Sequence, residues 1–265
     1  MKIKDSRVVI TGAGSGIGRA TALRCAREQA DVVCVDINGD AATATAQECG
    51  GTGYTCDVSD AQAVHELAEA IETELGPVEV LVNNAGVGLG GPFLKATVED
   101  WDWLIGVNLN GVAYGCRAFG ARMIERRRGQ VVNVASGAAY IMSRDLAAYC
   151  ASKAAVVALS RCLRADWASA GVGVSVVCPG VIDTPIVSHA RIVGKLGERP
   201  ERTARALSVG HPPDLVAKAI VRSVERNREL VPVGLESELA YRLLPFVPSP
   251  VKGLVSRTPL HRLVV

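Results

Sequence analysis

The sequence predicts an α/β fold, built as a single doubly wound domain with a parallel sheet of about seven strands and helices on both faces. Short apolar runs rich in β-branched residues recur without alternating polar residues, which is typical of parallel strands buried on both faces. Amphipathic stretches separate these runs, and such an alternation of strands and helices implies right-handed crossovers. The 265 residues are 49% hydrophobic, which is enough for one buried core.

Six of the strands can be assigned from the apolar runs. In chain order they are Arg7–Thr11, Val32–Val35, Val78–Val82, Gln130–Ala135, Val172–Cys178 and Leu230–Val233. Between them, SDAQ at 59–62 has the pattern of a capping box with Ser59 as the N-cap, and the helix that follows ends at Gly76. Longer helices are predicted at about 101–123 and 148–167.

Composition argues against several classes of function. The net charge is +2 with no long run of one sign, so no nucleic-acid partner is predicted. The eight cysteines form no CxxC pair and no zinc-like spacing, which predicts buried free thiols in a reducing compartment and no metal site. No apolar stretch reaches about 18 residues. Since the first residues also leave no room for a signal peptide, a cytoplasmic location is expected.

A glycine-rich segment, TGAGSGIG at 11–18, lies between the first strand and the helix that follows. Its spacing is GxxxGxG, with Gly12, Gly16 and Gly18, rather than GxGxxG. Glycines let the backbone turn sharply and approach a pyrophosphate, and the helix N-terminus offers free N–H groups and a positive dipole end. The position and composition therefore predict a dinucleotide-binding loop.

Asp36 ends the second strand, eighteen residues after Gly18. A carboxylate there can accept hydrogen bonds from the adenosine ribose hydroxyls and would repel the additional phosphate of NADP. No Arg or Lys lies within residues 35–38. This predicts NAD as the cofactor, while a helix cap or turn is the alternative role for the carboxylate.

A second group of polar residues suggests proton transfer. Tyr149 and Lys153 are four residues apart in a helical stretch and share a face, Ser136 ends a strand, and Asn108 lies in a predicted helix that it does not favour. Hydride transfer to a carbonyl leaves an oxygen that needs a proton, which a tyrosine can supply. A nearby ammonium lowers the pKa of a tyrosine, and a serine hydroxyl can hold the carbonyl oxygen.

Taken together, these motifs resemble the short-chain dehydrogenase/reductase family in its NAD-preferring form, with TGxxxGxG, NNAG and YxxxK motifs. The further matches are Asp57 with Val58, NNAG at 83–86, the N-x-x-G pattern from Asn108, and PG at 179–180 followed by Thr184. They occur in the family's order over about residues 5–235. The resemblance implies a Rossmann-type dinucleotide-binding and catalytic domain over 1–235 and a homo-oligomer, either a tetramer or a dimer.

The resemblance also implies catalytic roles. Tyr149 would be the general acid or base, and Lys153 would bind the nicotinamide ribose and lower the pKa of the tyrosine. Ser136 would orient the substrate, and Asn108 would hold a water in a proton relay.

The implied NAD site divides into three parts. Asp57 and Val58 would contact adenine, residues 84–86 would support the adenosine side, and residues 180–184 would flank the nicotinamide. The cofactor-binding residues are Gly12, Ser15, Gly16, Ile17, Gly18, Asp36, Asp57, Val58, Asn84, Ala85, Gly86, Tyr149, Lys153, Pro179, Gly180, Ile182 and Thr184.

The segment 185–212 breaks the regular pattern and is predicted to be a mobile lid over the substrate. Within it, His189 either touches the substrate or is a solvated loop histidine. Small and apolar residues at 138–142 and 88–93 favour a small hydrophobic alcohol or ketone as substrate.

Residues 236–265 form an apolar and basic C-terminal extension with four prolines. Three interpretations are open: packing on a neighbouring subunit or on the chain's own lid, peripheral contact with a membrane surface, or disorder.

The sequence thus predicts an oxidoreductase that transfers a hydride between NAD(H) and a secondary alcohol or ketone. A 3-oxoacyl reductase of lipid synthesis is one alternative, although that activity usually prefers NADP and Asp36 argues against it. A non-catalytic dinucleotide-sensing protein is another, although such proteins typically lack the tyrosine or the lysine.

Overall fold

The computed structural model describes residues 1–186, 188–194 and 210–257. Its strands are β1 (Arg7–Thr11), β2 (Asp31–Asp36), β3 (Thr52–Thr55), β4 (Val80–Asn83), β5 (Leu89–Gly90), β6 (Gly129–Val134), β7 (Val172–Pro179), β8 (Arg191–Ile192) and β9 (Leu230–Val233). Its helices of eight residues or more are α1 (Gly16–Arg27), α2 (Gly39–Cys49), α3 (Ala61–Glu74), α4 (Val98–Ile105), α5 (Gly111–Glu125), α6 (Ala147–Trp167), α7 (Pro213–Arg226), α8 (Leu235–Leu243) and α9 (Ser249–Arg257).

Seven strands form one parallel sheet in the order β3-β2-β1-β4-β6-β7-β9, which confirms the predicted fold class. The strand order reverses between β1 and β4, so the loops after these two strands diverge and leave a crevice at their carboxyl ends. The sequence analysis missed β3 because its residues, TGYT, contain no apolar run. It lies at the sheet edge, where fewer buried side chains are required.

The unalternated apolar strands are explained by two cores, one on each face of the sheet. Val9 and Leu81 pack on the face covered by α3, α5 and α6, whereas their neighbours Ile10 and Val82 pack on the face covered by α1 and α7. Successive strand residues point to opposite faces, so both must be apolar when helices cover both sides.

The predicted capping box at the start of α3 is wrong by one residue. Asp60 is the N-cap, and its carboxylate accepts hydrogen bonds from the backbone N–H groups of Gln62 and Ala63. The Ser59 hydroxyl donates instead to Asp57 Oδ1 at 2.7 Å, so it is engaged elsewhere and Asp60 takes the capping role.

The helix predicted at 101–123 is interrupted. It begins earlier, at Val98, where Thr97 and Asp100 form a capping box, and a π-helical turn at Gly106–Asn110 separates α4 from α5. Such a turn inserts one residue into the helix and is frequent at functional sites. Asn108 occupies this turn and is fully buried.

The described part of the C-terminal extension is helical and packs on its own chain, so disorder is the wrong interpretation for residues 236–257. The Tyr140 hydroxyl donates to the Ser237 carbonyl at 3.2 Å, and the Arg144 N–H donates to the Ser256 carbonyl at 3.1 Å. Phe246 nevertheless remains 85% exposed. Across the described ranges, none of the helices combines the length and apolar character that a membrane span requires.

Half of the predicted lid, residues 195–209, lies outside the described residues. The part that precedes it is held by a short parallel pairing, in which Leu89 lies opposite Arg191 and Gly90 opposite Ile192. Residues 188–194 are therefore tied to the loop after β4.

All eight cysteines are free thiols and six are buried, as predicted. Burial raises the pKa of the Cys25 thiol from 9.0 to about 12. The unfolded chain therefore releases this proton near pH 9 while the folded chain retains it, so the stabilising contribution is complete below pH 9 and is lost as pH rises toward 12.

We predict that raising the pH from 9 to 10 lowers the free energy of unfolding of Cys25→Ala by about 1 kcal/mol less than it lowers that of the wild type. The measurement is urea unfolding at several pH values. Cys162→Ala is the matched control, because its side chain is exposed. The same pH dependence in Cys25→Ala and in the wild type would contradict the assignment.

Candidate functional site

A cavity of about 490 Å³ lies at the carboxyl ends of the strands, across the reversal between β1 and β4. It brings together all but two of the residues predicted for the site. Those that line it are Gly12, Ser15, Gly16, Ile17, Asp36, Asp57, Val58, Asn84, Ala85, Gly86, Ser136, Tyr149, Lys153, Pro179, Gly180, Ile182 and Thr184. Gly18 and Asn108 are the two that do not, and both lie behind the cavity wall.

The glycine loop brings the N-terminus of α1 to the cavity. Gly12 and Gly16 have φ values of +66° and +50°, a conformation that side chains other than glycine rarely adopt. A Cβ on Gly18 would lie 2.0 Å from the Gly12 carbonyl oxygen. Gly18 therefore acts by letting α1 approach β1, while Ser15 and Ile17 line the cavity.

Asn84 serves as a brace between β1 and β4. Its Nδ2 donates to the carbonyl oxygens of Thr11 and Gly12 at 2.9 and 3.2 Å. In return, the Thr11 hydroxyl oxygen accepts the backbone N–H groups of Asn84 and Ala85. The loop at 84–86 is thus attached to the glycine loop by side-chain hydrogen bonds.

Asp36 has the turn-stabilising role that the sequence left open as the alternative to ribose binding. Its Oδ2 accepts the Gly14 N–H at 2.8 Å and its Oδ1 accepts the Asn38 N–H at 3.0 Å, so the carboxylate stabilises two turns. It also lines the cavity, with Ile37 beside it. Each carboxylate oxygen can accept a second hydrogen bond, which leaves capacity for a ligand.

The far wall of this half of the cavity is formed by the segment after β3. Asp57 and Val58 line it, together with Cys56 and Ser59, which the sequence analysis did not single out. Val58 is positioned by contact with α5, because a Cβ on Gly111 would lie 2.8 Å from its Cγ2.

Tyr149 and Lys153 project from the first turns of α6, opposite Ser136 at the end of β6. Lys153 Nζ lies 5.8 Å from the centre of the Tyr149 ring and donates to the Val134 carbonyl at 3.1 Å. Desolvation by burial lowers the pKa of Lys153 to about 8.

The expected lowering of the tyrosine pKa is not found. Burial raises the pKa of the Tyr149 phenol, and the side chain of Ser136 offsets only part of that rise. Desolvation disfavours the charged form of either group, so it raises the pKa of Tyr149 and lowers that of Lys153.

Asn108 supports the NNAG loop from behind. Its Oδ1 accepts the Val87 N–H at 2.8 Å, and its Nδ2 donates to the Val87 carbonyl at 3.0 Å and to the Ser152 hydroxyl at 3.3 Å. The π-helical turn presents this side chain to the loop. A water relay through Asn108 stays a prediction.

Part of the cavity lining is apolar. Val87, Trp103, Val107 and Ile186 form this part, and His189 also reaches the cavity although its residue is exposed. Trp103 and Val107 are four residues apart on the helical run that leads to Asn108. This helical spacing is the signal that could have identified them from the sequence.

Trp103 is held in place by the segment that precedes residue 195. The Arg191 guanidinium stacks on the Trp103 ring at 4.0 Å, and its Nη1 pairs with Asp100 Oδ1 at 2.9 Å. By contrast, residues 138–142 and 88–93, on which the apolar-substrate prediction was based, do not line the cavity. Tyr140 instead bonds to Ser237, and Met142 is 49% exposed.

Comparison with known proteins finds relatives over most of the chain. The family model for short chain dehydrogenase matches residues 6–192. "Probable oxidoreductase EphD" of Mycobacterium tuberculosis is 44% identical over 265 residues, which cover 94% of this chain and 44% of that protein. The chain therefore spans less than half the length of this relative.

Two further comparisons extend over most of both proteins. D-threitol dehydrogenase of Mycolicibacterium smegmatis is 37% identical over 222 residues, which cover 82% of this chain and 85% of the relative. A solved short-chain dehydrogenase/reductase from Burkholderia phymatum, in complex with NAD, is 31% identical with a TM-score of 0.84 and covers 98% of both chains.

We predict that Gly18→Ala destabilises the protein by about 2 kcal/mol or more, because the added methyl group overlaps the Gly12 carbonyl and the loop must move. Urea unfolding measures the change. Gly253→Ala is the control, since a Cβ there has no atom within 4 Å and alanine favours a helix, so its stability should rise by up to about 1 kcal/mol. Equal stability of Gly18→Ala and the wild type would refute the close approach.

Proposed function

Since this chain belongs to the short-chain dehydrogenase family, we propose that it is an oxidoreductase that transfers a hydride between NAD(H) and a secondary alcohol or ketone of a small hydrophobic compound. One observation carries the proposal. A single cavity contains the α1 N-terminus and Asp36 at one end and Ser136, Tyr149 and Lys153 at the other. A dinucleotide lying along this cavity would bring its nicotinamide to the proton-transfer residues.

The choice of NAD rests on the residues at the adenosine end. Free N–H groups at the start of α1 suit a pyrophosphate, and the Asp36 carboxylate suits ribose hydroxyls rather than a phosphate. In open parallel sheets, ligands bind in the crevice where the strand order reverses, which supports a dinucleotide at this position. The complex of the Burkholderia phymatum relative with NAD is consistent with the choice.

In the proposed reaction, bound NAD supplies the hydride acceptor or donor. Tyr149 gives its proton to the substrate oxygen during reduction and takes it back during oxidation. The Ser136 hydroxyl donates a hydrogen bond to the same oxygen and holds it in place. Lys153, whose pKa is about 8, is mostly charged at neutral pH and would bind the nicotinamide ribose.

A hydrophobic substrate is favoured by the walls beyond Tyr149. Val87, Trp103, Val107 and Ile186 provide apolar surface there. D-threitol dehydrogenase takes, by its name, a polyol, so that relative supports an alcohol in general and not an apolar one. The hydrophobic preference of our proposal rests on the cavity wall alone.

The two alternatives receive less support. A 3-oxoacyl reductase that uses NADP would place a phosphate against the Asp36 carboxylate. A dinucleotide-sensing protein would not require Ser136, Tyr149 and Lys153 to converge on one cavity.

From the family resemblance and the composition, we further propose that the protein is a homo-oligomer located in the cytoplasm. The exposed Leu243, Phe246 and Leu254, near the basic Arg242 and Lys252, provide a surface for a second subunit or a membrane.

We predict that Tyr149→Phe lowers turnover by about a thousandfold and leaves NADH binding within about twofold of the wild type, because only the transferable proton is removed. The assay follows NADH absorbance with a panel of hydrophobic secondary alcohols and ketones. Tyr54→Phe is the matched control, since its hydroxyl bonds Glu74 away from the cavity. Full turnover by Tyr149→Phe would exclude the proposed role.

A further inference from the structure

The first turn of α8, in the C-terminal extension, contacts the loop that follows β7. Glu236 Oε1 accepts the Val181 N–H at 2.9 Å, and Glu236 Oε2 lies 3.1 Å from His211 Nε2. Val181 itself does not line the cavity, but its neighbours Gly180 and Ile182 do. Glu236 does not line the cavity, so any effect on the site must pass through this loop.

His211 holds the same loop through its backbone. Its N–H donates to the Val181 carbonyl at 2.9 Å, and its carbonyl accepts the Asp183 N–H at 2.9 Å, so that it bridges Ile182 as a parallel strand would. The loop is therefore bonded on one side to the His211 backbone and on the other to the Glu236 carboxylate. The His211 imidazole contacts the Glu236 carboxylate and so connects the two segments that hold the loop.

The absence of a side chain at Gly180 is what admits the carboxylate. A Cβ at this position would lie 1.9 Å from Glu236 Oε1. Burial by itself would raise the pKa of Glu236, but hydrogen bonds from its own backbone N–H, His211 and Val181 lower it overall. The carboxylate is consequently ionised at neutral pH, and hydrogen bonds to an ionised acceptor are stronger than neutral ones.

The next residue, Ser237, connects the same turn of α8 to the other side of the site. Its side chain is fully buried, and its hydroxyl donates to the Cys178 carbonyl at 2.7 Å. The Tyr140 hydroxyl, which follows the Ser136 loop, donates to the Ser237 carbonyl at 3.2 Å. The consecutive residues Glu236 and Ser237 thus form hydrogen bonds to the loops on both sides of the cavity end where the nicotinamide is predicted to lie.

We propose that Glu236 is a positioning residue for the nicotinamide half of the cofactor, acting by holding Val181 and so fixing the loop from Gly180 to Thr184. The inference rests on the proposed function, because it assumes that a nicotinamide occupies that end of the cavity. The C-terminal extension is then a structural part of the active site. The adenosine half lies against Asp36 and Asp57, which are remote in the fold from α8.

The test compares two ligands that differ only in the nicotinamide ring, NADH and ADP-ribose, by calorimetric titration of the full chain. Glu236→Ala should bind NADH about tenfold more weakly, as expected for the loss of a charge-assisted hydrogen bond, and should bind ADP-ribose with unchanged affinity. Glu238→Ala is the matched control, because Glu238 lies in the same helix and pairs with Arg242 instead of the loop. It should bind both ligands as the wild type does.

The deciding comparison is between the changes that Glu236→Ala causes in NADH affinity and in ADP-ribose affinity. Weaker binding of NADH alone supports the proposal, whereas unchanged NADH binding, or equal weakening of both ligands, overturns it. If Glu236→Ala does not fold, His211→Ala removes the partner of the carboxylate and should weaken NADH binding in the same selective way. A wild-type protein that binds neither ligand would instead refute the proposed function, so the two failures are distinguishable.

Discussion

The close approach of α1 to β1 is the contact on which the rest of the site depends. Because Gly18 has no side chain, its backbone lies against the Gly12 carbonyl, and the N-terminus of α1 is carried to the carboxyl end of the sheet. Asn84 then attaches the loop after β4 to the same turn. The crevice at the reversal between β1 and β4 is therefore lined by the backbone N–H groups at the start of α1. Such groups can bind an anionic pyrophosphate.

A series of hydrogen bonds between buried polar side chains connects this part of the crevice to the elements that carry the proposed proton-transfer residues. Asn83 Nδ2 donates to Asn133 Oδ1 at 2.8 Å, and Asn133 Nδ2 donates to the Ser160 hydroxyl at 2.9 Å. These bonds join β4, β6 and α6, the elements that carry the NNAG loop, Ser136 and Tyr149. Buried polar groups that are fully paired favour one arrangement over others, since any shift would leave a group unsatisfied. The relative positions of β4, β6 and α6, and so of the two parts of the cavity lining that they carry, are stabilised in this way.

Most of the sheet and most of the cavity lining could be predicted from the sequence because they depend on local patterns. Strand β3 could not, since its residues carry no apolar signal, and neither could the π-helical turn, whose Asn108 bonds to the distant Val87. Glu236 was missed for a similar reason, because its partners Val181 and His211 lie far away in the chain. The pKa of Tyr149 was predicted in the wrong direction because burial, which a motif does not encode, is the largest influence on it.

The proposed NAD site has Asp36 facing the adenosine ribose. It is tested most directly by calorimetric titration of the purified protein with NADH and with NADPH. We expect NADH to bind at least about tenfold more tightly than NADPH, because the carboxylate would accept hydrogen bonds from the ribose hydroxyls and repel the 2′-phosphate. Tighter binding of NADPH would contradict the role of Asp36, and binding of neither would contradict the dinucleotide site itself.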